Sequence, residues 1–243
     1  MIIPRVFVPS PLAVGQQLTL DLVASQHLNR VLRLRLGDLV TIFNSQLTGE
    51  FSATIIAMQN SQLMVSLDAF RECQRESPLI INLGQGISRG DKMDFTIQKA
   101  VELGIHSITP LFTEYCNVKL DGERLQKRLE HWQKVAISAA EQSGRCVVPR
   151  ILAAKHLVEW LDGNDDSTKI VLDPNAELGL RDLKENAGSI TLLVGPEGGL
   201  SKHEMVAIKK SGFLSMALGK RILRTETAAL AAISALQARF GDF

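Results

Sequence analysis

Beyond Pro78, short apolar runs alternate with stretches of helical periodicity, and no other feature of the sequence constrains the fold as tightly. Leu79 to Leu83 reads as a buried strand, Met93 to Leu103 as a helix with Ile97, Ala100 and Val101 inward, and Ile108 to Phe112 as the next strand. The longest helix is expected over Gly122 to Ser143, where Leu125, Leu129, Trp132, Val135, Ala136 and Ala139 recur at helical spacing. Strands at Ile170 to Leu172, Ile190 to Val194 and Phe213 to Leu218 follow, with helices behind the last two. Alternation of this kind predicts an α/β domain on a mostly parallel sheet.

The first seventy residues have a different rhythm. Arg5 to Val8, Gln17 to Asp21, Leu39 to Phe43, Phe51 to Ala57 and Leu63 to Leu67 are short strand candidates, with Gly37-Asp38, Thr48-Gly49 and Asn60-Ser61 as turn pairs between apolar runs. Hairpins of a small β-barrel are the economical reading. One helix interrupts them, with Ser25 as its expected cap and Leu28, Val31 and Leu32 on one face, which sends Arg30, Arg33 and Arg35 outward as a basic cluster. The charged stretch Arg71 to Pro78 marks the boundary, so residues 1–72 and 77–243 are the expected domains.

Composition narrows the classes further. With 243 residues, 45% of them hydrophobic, the chain can bury a real core without staples. Its 27 basic and 26 acidic residues nearly cancel, so any nucleic-acid surface must be a local patch. Cys73, Cys116 and Cys146 are odd in number and lack a C-x-x-C pair, which argues against a disulfide framework and a cysteine-rich zinc site. Met1 to Val8 lacks the charge and apolar run of an export signal, and no window approaches the roughly 18 apolar residues of a membrane span. A cytoplasmic protein without a membrane anchor is expected.

Three segments carry the chemistry. In Leu192-Leu193-Val194-Gly195-Pro196-Glu197-Gly198-Gly199-Leu200-Ser201-Lys202-His203-Glu204 an apolar strand enters a glycine-rich turn, after which Ser201 and Glu204 have capping-box spacing. Ligands of parallel sheets sit at the carboxyl ends of strands, where glycines let them approach the backbone. No Lys-Ser or Lys-Thr stands at a P-loop position, and Gly84-Gln85-Gly86 with Gly90 misses the dinucleotide spacing, so it reads as a plain turn. The second segment, Leu218 to Ala228, again joins a strand end to a helix mouth; Thr225 is its expected cap, and Arg221 and Arg224 can meet an anionic centre. Ala228, Ala229, Ala231 and Ala232 keep that helix slim, which suits close packing at a subunit interface as well as simple helix propensity. The third segment, Ala139 to Arg145, ends the long helix at Gly144 and gathers Glu141, Gln142 and Ser143, side chains able to bond a base or ribose.

Other chemistries find little support. The five histidines lack metal-ligand spacing, and no G-x-S-x-G elbow is present. Asp121 with Glu123, and Asp162 with Asp165 and Asp166, read as solvated charges.

Taken together, Gly195-Pro196-Glu197-Gly198-Gly199, Leu218 through Ala228, Glu141 to Arg145 and Lys92 through Gly104 resemble the ribosomal RNA small subunit methyltransferase E family. Arg5-Val6-Phe7 and His27 to Leu34 extend the resemblance over nearly the whole chain. It implies a PUA-like RNA-binding barrel before a SPOUT domain with a trefoil knot, working as a homodimer. Periodicity alone would not suggest a knot. It further implies methyl transfer from S-adenosylmethionine to N3 of one uridine of 16S ribosomal RNA, with the small ribosomal subunit as substrate and no metal. The cofactor would meet Leu172 and the loop after it, then Gly195, Pro196, Glu197, Gly198 and Gly199, then Leu218, Gly219, Ile222 and Leu223. Arg224 would supply positive charge to the reacting base and Glu197 would orient substrate or cofactor. Arg5, Arg30, Arg33, Arg35, Gln142 and Arg145 are the candidate RNA contacts. Lys220, Tyr115 and Arg89 depart from the family's usual proline, arginine and lysine. The alternatives are a non-catalytic RNA-binding or assembly factor, and a related methyltransferase acting on transfer RNA or a ribose oxygen.

Overall fold

The computed structural model describes residues 3–118, 120–163, 167–183 and 188–243, so Met1 and the carboxylates Asp165 and Asp166 lie outside the described residues. The chain divides into two compact units, Met1–Glu76 with Ala140–Val148, and Ser77–Ala139 with Pro149–Phe243.

The first unit carries strands β1 (Arg5–Phe7), β2 (Gln17–Thr19), β3 (Leu39–Phe43), β4 (Gly49–Gln59) and β5 (Gln62–Glu72) in one sheet of order β1-β3-β4-β5-β2. β1 runs parallel to β3 and the remaining pairs are antiparallel. Phe51, Ala53 and Ile55 of β4 alternate inward and pack with Val6, Leu20, Leu28, Ile42 and Leu67. Register shifts at Ser52/Ala53 and Ile55/Ala57 bend the long β4–β5 ribbon.

The helix in this unit differs from the sequence expectation. Helix α1 (Leu22–Gln26) is capped by Asp21, whose carboxylate accepts from Ala24 N–H at 2.7 Å. Ser25 lies inside the helix, fully buried, and its hydroxyl accepts from Leu63 N–H at 2.9 Å. The chain then widens into a π-turn, His27–Val31, in which Leu32 N–H returns to His27 O. A π-turn has more residues per turn than an α-helix, so Leu28 is buried while Val31 and Leu32 face solvent. Arg33 follows with φ +59°.

Ala140–Val148 belongs to this unit, whereas the sequence reading placed it with residues 77–243. Three kinds of bond hold it there. Glu141 accepts from Phe7 N–H at 2.9 Å, Arg145 Nε donates to Glu76 at 3.0 Å, and a disulfide joins Cys73 to Cys146 with Cα atoms 6.6 Å apart. That bond corrects the expectation of unpaired cysteines, since 73 residues separate the partners and no local spacing reveals them. Gly144 takes φ +82° and Arg145 N–H closes back on Ala140 O, the expected helix stop.

The second unit is a seven-stranded sheet: β6 (Ile80–Gly86), β7 (Ser107–Phe112), β8 (Arg150–Ile151), β9 (Lys155–His156), β10 (Thr168–Leu172), β11 (Ser189–Val194) and β12 (Leu214–Met216). Its order is β12-β10-β11-β6-β7-β8, with β9 also on β7, and every pair is parallel. Helices α2 (Lys92–Glu102), α3 (Gly122–Ser143), α4 (Leu157–Leu161) and α5 (Lys202–Lys210) lie between these strands, and α6 (Thr225–Phe240) follows the last of them. Leu111, Val171 and Leu193 of the sheet form a core with Leu157, Ile208 and Phe213. β8, β9 and α4 escaped the sequence reading because two to five residues are too few to show a period. Ala229 and Ala232 are fully buried, and Gln237 of α6 donates to Leu103 O at 3.0 Å. Ala229 and Ala232 therefore serve packing within the chain, while Ala228 and Ala231 are half-buried. Among the described residues no helix is long and apolar enough to cross a membrane.

Candidate active site

Parallel β10, β11 and β12 lie side by side, so the loops leaving their carboxyl ends converge, and they enclose a cleft of about 830 Å³. Leu172 and the turn Asp173-Pro174-Asn175 line it from β10. Gly195, Pro196, Glu197 and Gly199 line it from β11, and Leu218, Gly219, Ile222, Leu223 and Arg224 from β12. Gly198 is absent from the lining because it backs onto Tyr115: a Cβ built there would stand 2.8 Å from Tyr115 Cβ and 3.0 Å from its carbonyl oxygen. Gly199 and Gly219 both hold φ +72°, where side chains are strained.

The expected capping box sets the exit of the glycine turn. Ser201 Oγ accepts from Glu204 N–H at 3.1 Å, and Glu204 accepts from Ser201 N–H at 2.8 Å. Glu204 also accepts from Glu114 N–H at 2.8 Å, tying α5 to the loop after β7. Thr225 does not cap α6 as expected; Arg224 is the N-cap residue, without a side-chain cap bond. Nor is Gly84-Gln85-Gly86 a turn. It is the end of β6 and pairs in register with β11 and β7.

Glu197 stands at the cleft with defined partners, accepting from Arg89 N–H at 3.2 Å and pairing with Lys92 at 3.3 Å. Burial raises its pKa, but hydrogen bonds from its own and Arg89's backbone N–H and from Lys92 outweigh that, and the net shift is downward. The group is an anion across the neutral range. Arg221 and Arg224 are exposed and make no ion pair among the described residues. Asp173 and Asn175 stand in the loop after Leu172, which was expected at the cleft without these two being named, whereas Lys92 and Lys209 were missed as cleft residues. The Asp-Pro-Asn turn after an apolar strand was the available signal; Lys92 and Lys209 sit on helices and show none.

The remaining candidates belong to the first unit and divide into two groups. Arg30, Arg33, Arg35 and Gln142 are exposed. Arg5 and Arg145 are turned inward, with side chains 11% and 8% exposed. Arg5 pairs with Glu50 and donates to Arg145 O at 2.8 Å, and Arg145 pairs with Glu76. Among the described residues, the group near enough to hold a metal ion is Glu50, Cys73 and Cys146, whose two sulfurs are bonded to each other.

A family model for an RNA methyltransferase domain matches residues 75–237. The chain is 39% identical to the ribosomal RNA small subunit methyltransferase E of Buchnera aphidicola subsp. Schizaphis graminum, over 99% of this chain and 98% of that one. It is 32% identical to the Bacillus subtilis protein of the same name, over 86% and 85%. Among solved structures, it matches the ribosomal RNA small subunit methyltransferase E of Neisseria gonorrhoeae bound to S-adenosyl methionine with a TM-score of 0.93 and 41% identity, covering both chains completely. A Legionella pneumophila protein solved with the cofactor SAM matches with a TM-score of 0.96 at 39% identity, again over both full lengths. With strand-end loops converging on one cleft and relatives aligned end to end, the chain belongs to the ribosomal RNA small subunit methyltransferase E family.

Proposed function

We propose that the chain methylates N3 of one uridine in the 16S RNA of the small ribosomal subunit, in the cytoplasm, with S-adenosylmethionine as donor. The observation that carries this reading is the single cleft built by the loops after β10, β11 and β12, in a chain whose full-length relative was solved with that cofactor. Its volume is within the range of small-molecule sites, and its walls mix apolar Leu172, Val194, Met216, Leu218 and Leu223 with loop backbone. Those surfaces suit a ligand that joins a base and ribose to an amino-acid tail. We read the first unit as a PUA-like barrel that holds RNA through Arg30, Arg33, Arg35 and Gln142, with Arg5 and Arg145 as its internal supports. The second unit is the catalytic domain, knotted at its cleft loops and paired with a second copy.

The bound cofactor supplies an electrophilic methyl carbon on a positively charged sulfur. Uracil N3 gives its proton to solvent water as its electron pair takes the methyl and the donor's sulfur keeps the electrons of the broken bond, so negative charge builds on the base in passing. Arg224 lies at the cleft, exposed and without an ion-pair partner among the described residues, and it offers the compensating positive charge. Glu197 acts differently. Its lowered pKa makes it a poor proton acceptor, and its bonds to Lys92 and Arg89 fix its position, so it orients a donor group. The loops themselves hold donor and base in line.

The test is tritiated methyl transfer to isolated small subunits, naked 16S RNA and transfer RNA in parallel, followed by mass analysis of the nucleosides. Label in 3-methyluridine from small subunits is the expected result. Label in a ribose or in transfer RNA would move the target, and no label despite RNA binding would make the chain an assembly factor.

A further inference from the structure

Gln85 is fully buried at the end of β6, where a polar side chain needs a reason. Its Nε2 lies 3.0 Å from Thr225 Oγ1 and 3.1 Å from Gly86 O. Thr225, the first residue of α6 and 7% exposed, has its Oγ1 2.6 Å from Gly195 O. The direction of these bonds follows from proton counting. Gly195 O can only accept, so the single hydroxyl proton of Thr225 points there, and the hydroxyl must accept from Gln85. Gly86 O can likewise only accept, so the nitrogen of the Gln85 amide faces both partners. The result is a one-way relay from Gln85 through Thr225 to the carbonyl that opens the glycine turn.

Gly86 completes the support from behind. A Cβ there would stand 2.4 Å from Pro196 N and 2.6 Å from Pro196 Cδ, so only glycine lets β6 lie against the Gly195–Pro196 backbone. Thr225 commits its hydroxyl to the loop while α6 begins with no side-chain cap, a local arrangement that helix stability alone does not favour. Gly195, Pro196 and Thr225 all line the cleft.

We infer that Gln85 and Thr225 are positioning residues for methyl-donor binding: their relay holds the Gly195 carbonyl, and with it the glycine turn, in the shape that receives the cofactor. This rests on the donor reading proposed above. The test is calorimetry with S-adenosylmethionine, joined to steady-state methyl transfer on small subunits and thermal melting, for wild type, Thr225→Val, Thr225→Ser and Gln85→Met. Thr225→Val keeps the shape and removes the hydroxyl. It is expected to raise the Kd and KM for S-adenosylmethionine about tenfold or more, the scale of one buried hydrogen bond, while the KM for subunits stays unchanged. Thr225→Ser keeps the hydroxyl and is expected within about threefold of wild type, with Gln85→Met between the two. A folded Thr225→Val chain that binds S-adenosylmethionine as wild type does overturns the relay, and so does a serine variant as weak as the valine variant. Should the valine variant fail to fold, Gln85→Met decides by the same measurement. A wild-type chain that binds no S-adenosylmethionine would instead overturn the donor reading itself.

Discussion

In the first unit the arginines around Glu50 and Glu76 are consumed by carboxylates, and at the cleft of the second Arg221 and Arg224 are left open. Glu50, with a side chain 6% exposed, pairs with Arg5, Arg71 and Arg75, and Arg145 pairs with Glu76. Arg221 and Arg224 have no such partner among the described residues. The two regions look alike in sequence, since each places arginines beside turns. What separates them is whether a carboxylate from a distant segment arrives to neutralise them. A neutralised, buried arginine is an element of stability, whereas an exposed one at a ligand loop keeps its field for a substrate.

That contrast is sharpest at Glu50. Glu50→Ala strands the buried guanidinium of Arg5, and the expected loss is about 3 to 5 kcal/mol of stability by chemical denaturation. A loss below about 1 kcal/mol would reduce the cluster to a surface ion pair. At the cleft the expectation inverts. Arg224→Ala should lower turnover about 10²-fold, the scale of one transition-state contact, and leave the thermal midpoint unmoved. Normal turnover would reduce Arg224 to a helix-end residue.

The exposed arginines of the first unit test the same distinction with a smaller effect. Replacing Arg30, Arg33 and Arg35 together by alanine should make the dependence of log K for small-subunit RNA on log salt shallower by about 2 to 3, one per lost phosphate contact. An unchanged slope would place the RNA elsewhere.

The smallest effect is one of sign. Burial raises the pKa of Glu141, which the Phe7 N–H only partly offsets. A raised carboxylate contributes stability below its unfolded pKa and loses it as pH climbs through the folded value. Glu50 is the opposite case: burial raises its pKa, the bonds from Arg71 and Arg5 outweigh that, and its contribution is lost as pH falls through the lowered value. Glu141→Gln keeps an acceptor for Phe7 and removes the charge. It should therefore gain stability relative to wild type between acid and neutral pH, while Glu50→Gln should lose most at neutral pH. Melting curves at stepped pH check both slopes, and parallel slopes for the two variants would erase the difference between the sites.

Much of the local structure in both units was legible from local signals. The strand into the glycine turn, the Ser201–Glu204 box and the stop at Gly144 each depend on residues within one or two turns of chain, so spacing alone reveals them. The caps assigned to Ser25 and Thr225 failed for a shared reason. Each hydroxyl has a stronger claim from another segment, Leu63 N–H for one and Gly195 O for the other. A residue that suits a helix start by type is released from it when tertiary packing offers a buried partner.

By itself, then, the sequence determined the alternation of strands and helices, the closure of the glycine turn by a helix, and the arginines available to each region. These are matters of period, backbone freedom and capping, which act over a few residues. Tertiary structure decided which arginines turn inward, which cysteines join, and which threonine supports the cleft. Arg5 reaches Arg145 and Gln85 reaches Thr225 across 140 residues each. Contacts of that span exist only once each unit has folded, because only the folded topology sets which distant groups lose their water together and must satisfy one another.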